Sequence, residues 1–129
     1  MCGVCGVALG ERTREVAPEV LRRMAQALRF RGPDAEGYHR EPGIGLGHRR
    51  LSVLDLAGGV QPMSDPSGQV TVSFNGEIYN FRELRRELEA AGLTFRTRSD
   101  TEVLLLGYVH WGQGVFERLG GMFAFAIWD

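Results

Sequence analysis

Apolar residues recur with two different periods along this chain, and the two periods predict helices and strands in different places. Helical spacing is found in three segments: residues 18–30, residues 80–91, and a segment that opens with Ser99 as a predicted cap and is apolar over residues 103–109. Pro18 suits the first turn of its helix, and Gly92 suits the end of the second.

Four other segments have strand character: residues 3–9, 44–54, 70–74 and 122–128. In the second of these segments, residues 44–54, successive side chains of a strand would point to opposite faces, which puts His48, Arg50 and Ser52 on one face. The last is a continuous apolar run, which predicts a strand buried on both faces. Strands interleaved with helices are compatible with an α+β fold.

Turn and capping residues mark the boundaries of these segments. Asn80 is predicted to cap its helix, with Glu83 three residues on as in a capping box. Arg31, Gly32, Pro33 and Asp34 form turn chemistry that ends the first helix. Asn75-Gly76 follows a strand directly and predicts a tight turn there.

Length and charge limit the classes of function. A chain of 129 residues that is 43% hydrophobic and 24% charged fits one globular domain. Fifteen basic and 16 acidic residues leave a net charge of -1, which favours neither nucleic acid nor an anionic membrane as a partner. No segment approaches the ~20 apolar residues that cross a bilayer, and no leader is visible. We therefore expect a cytoplasmic protein.

The residue with the clearest chemistry is Cys2. A small residue at this position allows Met1 to be removed, which leaves Cys2 with a thiol and a free α-amino group. An α-amino group titrates near ~8, so it can take the thiol proton directly or through water. One residue would then supply both nucleophile and base.

A competing interpretation makes Cys2 and Cys5 a CxxC redox or metal site. Redox pairs of that type open a helix, whereas a strand would point the two side chains to opposite faces. Zinc needs further ligands, and the three histidines, at positions 39, 48 and 110, show no ligand spacing. We therefore predict no metal site and interpret Cys5 as a small core residue.

Attack of a thiolate on an amide creates an oxyanion, which needs preorganised donors. The side-chain amide of Asn75 and the backbone N–H of Gly76 would supply two donors at the end of a strand. The alternative is that this dipeptide is only a turn.

Six ordered motifs accompany the start Met1-Cys2-Gly3. They are Arg31-Gly32-Pro33-Asp34, the nonapeptide at residues 47–55, Gln61-Pro62-Met63, the heptapeptide at residues 74–80, Ser99-Asp100-Thr101-Glu102, and the hexapeptide at residues 121–126. The set resembles the glutaminase domain of glutamine-hydrolysing asparagine synthetases over essentially the whole chain.

The resemblance implies roles at matched positions. Cys2 would be the nucleophile, and Asn75 and Gly76 the oxyanion donors. The glutamine ligands would be Arg50 for the α-carboxylate, Glu77 and Asp100 for the α-ammonium, and the backbone around Val53 along the substrate. One arginine and two carboxylates complement the two charges of an amino acid.

The resemblance also implies an N-terminal nucleophile hydrolase fold, a four-layer α/β/β/α sandwich. Because domains rarely end on an apolar central strand, we expect residues 1–129 to be a carboxy-terminally truncated class II glutamine amidotransferase domain. The synthetase domain would be absent.

In the full-length parent protein, ammonia released from L-glutamine would pass to a synthetase domain that amidates aspartate. ATP and Mg²⁺ would belong to that domain, and this domain would need no cofactor. A homodimer of the full-length protein is compatible with the resemblance. Two alternatives stay open: a related amidotransferase with a peptide or cell-envelope acceptor, and a non-catalytic fragment.

Overall fold

A computed structural model describes residues 1–51 and 59–129 of the chain. The helices are α1 (Pro18–Ala27), α2 (Phe81–Ala90) and α3 (Asp100–Trp111), and a 3₁₀ helix (Gly112–Arg118) follows α3. The strands are β1 (Gly3–Ala8), β2 (Ala35–Glu41), β3 (Ile44–Arg50), β4 (Met63–Ser64), β5 (Thr71–Ile78) and β6 (Gly121–Trp128).

The strands form two antiparallel sheets. The first sheet has the order β1-β3-β2 and the second the order β4-β5-β6, so β3 and β5 are the central strands. In the first sheet Gly3 pairs with Arg49, and Gly37 pairs with His48. Paired residues of antiparallel strands share a face, which makes the registers a guide to what each face carries.

Helix α1 covers the outer face of the first sheet. Gly45 has no side chain, and a Cβ there would lie 2.8 Å from Cδ1 of Leu21. A Cβ at Gly3 would likewise lie 2.9 Å from Cβ of Leu28. These two glycines let the helix lie directly on the strands.

The main core lies between the second sheet and helices α2 and α3. Val72, Phe74 and Ile78 of β5 are buried there among leucines and valines of the two helices. The inner faces of the two sheets meet, because Nε2 of His48 in β3 donates to the carbonyl oxygen of Phe74 in β5 at 3.0 Å. The layers therefore run helix, sheet, sheet, helices, as the predicted sandwich requires.

Several predicted boundaries need correction. The first helix ends at Ala27, before the predicted residue 30. β3 ends at Arg50, and residues 52–54 of the predicted strand lie outside the described part of the chain. Strands β2 and β4 and the 3₁₀ helix were not predicted, because their sequences lack a clear apolar period.

The predicted turn at Asn75-Gly76 is wrong. β5 continues to Ile78, because β6 pairs with it throughout: Asn75 lies opposite Ala124, and Gly76 opposite Phe123. Gly76 accommodates this with a φ of 147°. Long-range pairing therefore overrides a local turn signal.

Two further expectations on this side of the molecule are corrected. β6 is not buried on both faces: residues 121–124 are exposed, and the rest of the strand is half-buried. The side chain of Asn80 does not cap α2; it donates to the carbonyl of Arg118 at 2.8 Å and accepts from the N–H of Gly120 at 2.9 Å. Asn80 thus holds the segment that leads into β6.

Within the described ranges, no helix has the length and apolar character that crossing a membrane would need.

Candidate functional site

Cys2 lies immediately before β1, against the end of β3. Its Sγ accepts a hydrogen bond from the N–H of Leu51 at 3.5 Å and lies 4.0 Å from the carbonyl oxygen of the same residue. The guanidinium of Arg31 donates to the carbonyl oxygen of Cys2 at 3.3 Å. The amino-terminal residue is thereby held at one end of the first sheet, with a half-buried thiol.

Arg50 is the last residue of β3 and lies at the same end. Gly3 pairs with Arg49, so continuing the register by one residue brings Cys2 opposite Arg50. The Arg50 guanidinium packs on Gly59: a Cβ there would lie 2.9 Å from Cζ. The neighbouring Arg49 has another task, donating to the carbonyl of Gly32 at 2.8 Å and to the Glu36 carboxylate at 2.6 Å.

The contact between His48 and Phe74 brings β5 to this end. His48 precedes Arg50 by two residues, and Phe74 immediately precedes Asn75 and Gly76. Asn75 and Gly76 are both half-buried. At Gly76 a side chain is excluded, because a Cβ would lie 2.5 Å from Cα of Phe123 and would also meet the carbonyl oxygen of Met122.

In the part of the chain that the structure describes, no strand pairs with one edge of β5 beside these residues, and we call this edge open. β6 lines the other edge throughout, whereas β4 pairs with Thr71 and Val72 alone among the residues of β5. Beyond them, side chains take the place of a strand. The N–H of Phe74 donates to Oε1 of Gln61 at 2.6 Å, and the N–H of Ile78 donates to Oδ2 of Asp100 at 3.0 Å.

Asp100 is the first residue of α3, and Ser99 caps the helix as predicted, because its side chain accepts from the N–H of Glu102. Burial raises the pKa of Asp100, and the negative charge of Glu77 acts in the same direction, while N–H donors such as that of Ile78 oppose both. Glu77 itself is exposed. Two carboxylates close to each other, one of them partly desolvated, favour a bound cation.

Val53, the remaining predicted substrate contact, lies outside the described residues. Three hydrogen bonds connect the neighbourhoods of other predicted residues. Cys2 is bonded to Leu51, which follows Arg50. Phe74, which precedes Asn75 and Gly76, is bonded to His48, and Asp100 is bonded to Ile78 of β5.

The two side chains that bond Phe74 were not assigned a role from the sequence. The sequence pattern puts His48 on the same strand face as Arg50 but indicates no function for it. Gln61 occurs in the motif Gln61-Pro62-Met63, which by itself indicates no role. A polar side chain at a buried strand position was the available signal for His48, whose exposure is 1%.

Cys5 is half-buried and close to Gly47, where a Cβ would lie 2.7 Å from its Sγ. Burial raises the pKa of its thiol, against the hydrogen bond from the backbone of Gly47. Across residues 1–51 and 59–129 both cysteines are free thiols, and no three of the His, Cys, Asp and Glu side chains are grouped closely enough to hold a metal ion.

Comparison with known proteins identifies the family of this domain. The family model for the glutamine amidotransferase domain matches residues 1–129. Asparagine synthetase [glutamine-hydrolyzing] 1 of Bacillus subtilis is 47% identical over all of this chain, and asparagine synthetase 2 of the same organism is 42% identical. The chain spans 21% and 17% of the lengths of these two relatives.

A solved structure supports the fold. Glutamine phosphoribosylpyrophosphate amidotransferase from B. subtilis, complexed with ADP and GMP, superposes with a TM-score of 0.73 at 25% identity. The match covers 95% of this chain and 35% of that one. Together with the layer order, this likeness confirms the predicted N-terminal nucleophile hydrolase fold. The chain belongs to the glutamine amidotransferase domain family.

Proposed function

We propose that this chain is a glutaminase in which Cys2, freed of Met1, attacks the side-chain amide of L-glutamine. The observation that carries the proposal is the position of Cys2: its thiol lies at the end of β3, bonded to Leu51 beside Arg50, in a chain of the glutamine amidotransferase family. This position supports Cys2 as the nucleophile, beside an arginine that is suited to hold the substrate.

The first step would use both groups of Cys2. The α-amino group takes the thiol proton, and the thiolate adds to the amide carbon to give a tetrahedral oxyanion. Collapse breaks the carbon–nitrogen bond, and the leaving nitrogen takes the proton from the ammonium group and departs as ammonia. Water, deprotonated by the same amine, then adds to the thioester carbon; collapse breaks the carbon–sulfur bond and releases glutamate, and the Cys2 thiolate takes the proton back from the ammonium group.

Asn75 and Gly76 would stabilise the oxyanion. In a strand, the N–H groups of residues two apart point to the same edge. The Phe74 and Ile78 N–H groups are bonded by side chains on the edge away from β6. The Gly76 N–H would therefore be directed to that open edge between them, where no strand competes for it among the described residues.

The substrate's two charges lie on groups of the same α-carbon, so Arg50 and the two carboxylates would bind one end of glutamine while the side-chain amide at its other end reaches the thiol. Arg50 would bind the α-carboxylate in bidentate fashion. Asp100 and Glu77 would bind the α-ammonium, which would relieve the unfavourable burial of Asp100 and the repulsion from Glu77. The Val53 backbone would extend along the same substrate.

The acceptor of the ammonia would be aspartate. The relatives at 47% and 42% identity are asparagine synthetases of which this chain spans about a fifth. We therefore propose that ammonia passes to a synthetase domain, where ATP and Mg²⁺ would support amidation, and that the full-length protein forms a homodimer.

Ammonia release from L-glutamine tests the glutaminase, using protein whose intact mass shows that Met1 is absent. We expect Cys2→Ala to lower kcat by about 10⁴-fold or more, as loss of a catalytic nucleophile does. Cys5→Ala is the matched control and should keep kcat within about threefold, since a half-buried thiol at that site takes no part in the chemistry. Undiminished ammonia release from Cys2→Ala would refute the proposal.

A further inference from the structure

Both peptide groups of Phe74 are bonded by side chains on the open edge of β5. Oε1 of Gln61 accepts from its N–H at 2.6 Å, and Nε2 of His48 donates to its carbonyl oxygen at 3.0 Å. In an extended sheet a neighbouring strand would make both bonds. Two side chains from separate segments therefore replace a strand at the residue just before Asn75 and Gly76.

The same side-chain amide of Gln61 is bonded through its nitrogen as well. Its Nε2 donates to Oγ1 of Thr101 at 3.2 Å, so the amide spans from β5 to the first turn of α3. Its backbone lies on Gly37 of β2, where a Cβ would be 2.9 Å from the Gln61 carbonyl carbon and would meet its oxygen. Gly37 thus makes room for Gln61 between the sheets.

His48 is held equally tightly. It pairs with Gly37 across β2 and β3, so it stands on the same face as the Gln61 backbone. Because a carbonyl oxygen only accepts, Nε2 must carry the proton. Its side chain has 1% exposure, and burial lowers its pKa, which favours the neutral ring.

We propose that His48 and Gln61 are positioning residues for the reaction: they bond both the N–H and the carbonyl oxygen of Phe74 on the open edge of β5 and thereby orient the oxyanion donors of Asn75 and Gly76. The inference rests on the proposed glutaminase function. We call the arrangement of His48, Gln61 and Phe74 the clamp.

The physical need for a clamp follows from the site. Donors to an oxyanion must be preorganised, and a displacement of about 1 Å can cost about 100-fold in rate. A strand edge that leaves an N–H open for substrate has lost the ladder that normally fixes it. The positive φ of Gly76 adds freedom that only the neighbouring residues can limit.

The test compares four variants by kcat, KM and thermal stability. His48→Leu and Gln61→Met remove one clamp bond each, while His48→Gln keeps a donor at the reach of Nε2. Ser73→Ala is the matched control: it alters a buried side chain next to Phe74 whose hydroxyl has no partner among the described residues.

We expect His48→Leu and Gln61→Met to lower kcat by about 10- to 100-fold with KM within about threefold, as misaligned donors predict. His48→Gln should recover most of kcat, and Ser73→Ala should match the wild type. If His48→Gln is as impaired as His48→Leu, or Ser73→Ala falls as far, the residues are only structural and the proposal is wrong.

Amide hydrogen exchange gives a readout that does not depend on activity. Phe74 N–H exchange should accelerate at least about tenfold in Gln61→Met relative to Ser73→Ala, because it loses its acceptor. Unchanged exchange would overturn the clamp. If Cys2→Ala still releases ammonia, the proposed function fails first. If Cys2→Ala is inactive while both clamp variants keep full kcat, only the clamp is refuted.

Discussion

The two halves of β5 share one strand and one partner, β6, yet differ in how their backbone is bonded. Residues 71–74 are all buried; β4 pairs with the first two of them, and side chains bond the last. Residues 75–77 are half-buried or exposed and contain a glycine at φ 147°. The strand thus passes from a fully bonded half to a half with an open edge.

This difference shows how a rigid element can present reactive backbone groups. An N–H that binds a substrate must be left out of the ladder, which weakens the strand where it is needed most. The buried half compensates, since Val72 and Phe74 are anchored in the core. Under the proposed function, residue 74 and its neighbours would therefore supply the precision that residues 75–76 need.

Among the predicted changes, adding a side chain at Gly76 should have the largest effect on the difference between the two halves of β5. A Cβ would lie 2.5 Å from Cα of Phe123 and meet the carbonyl of Met122, so β6 must shift. We expect Gly76→Ala to lower kcat by about 100-fold or more through the displaced donor. Backbone strain and overpacking should also reduce the free energy of unfolding by about 3 kcal/mol.

Gly68→Ala is the control for that substitution. Gly68 also has a positive φ, 73°, but its Cβ position is open, with nothing within 4 Å. This variant should lose only about 1 kcal/mol in unfolding free energy and none of its activity. Equal losses in the two variants, measured by chemical denaturation, would show that the contact with β6 does not matter.

The next largest effect is expected at Asp100, whose carboxylate accepts a hydrogen bond from the N–H of Ile78 at the end of β5. Asp100→Asn keeps an oxygen for the N–H of Ile78 but removes the charge, so KM for glutamine should rise about 10- to 100-fold. A raised carboxyl pKa contributes stability below the ordinary 3.8 and loses it as pH rises through the raised value. At neutral pH, Asn should therefore leave the unfolding free energy equal or higher.

Glu102→Gln is the structural counterpart two residues further on. Glu102 is 1% exposed and accepts from the N–H groups of Arg96 and Thr97 and from the Thr97 hydroxyl. Gln would turn an NH₂ towards a donor and lose about 2 kcal/mol of unfolding free energy, with KM changed less than about threefold. A KM effect as large as that of Asp100→Asn would remove the distinction between the two acids.

The smallest effect is the pH dependence of stability from His48. Its pKa lies below the ordinary 6.5 in the folded chain, so its contribution is complete above 6.5 and decreases as pH falls towards the folded value. The slope cannot exceed about 1.4 kcal/mol per pH unit for one group. Unfolding free energies of the wild type should fall more than those of His48→Gln between pH 7 and 5; parallel curves would contradict this.

The sequence predicted elements well where the apolar period was strong. Residues 18–27, 81–90 and 100–111 form helices close to the predicted segments, and the Ser99 cap is confirmed. β2 was missed because its seven residues are mostly polar, and pairing with β3 makes it a strand. The prediction of a turn at Asn75-Gly76 was wrong for the same reason, since pairing with β6 determines the backbone conformation there.

The sequence by itself contained the ordered motifs behind Cys2 that carry the resemblance to the family and its candidate residues, because motifs are written in local runs of residues. The tertiary structure alone decided which backbone groups of β5 are open and which side chains close the rest. The direction of an N–H depends on the strand beside it, and that neighbour comes from residues far away in the chain. Only the fold brings His48 and Gln61, from separate segments of the chain, both to Phe74.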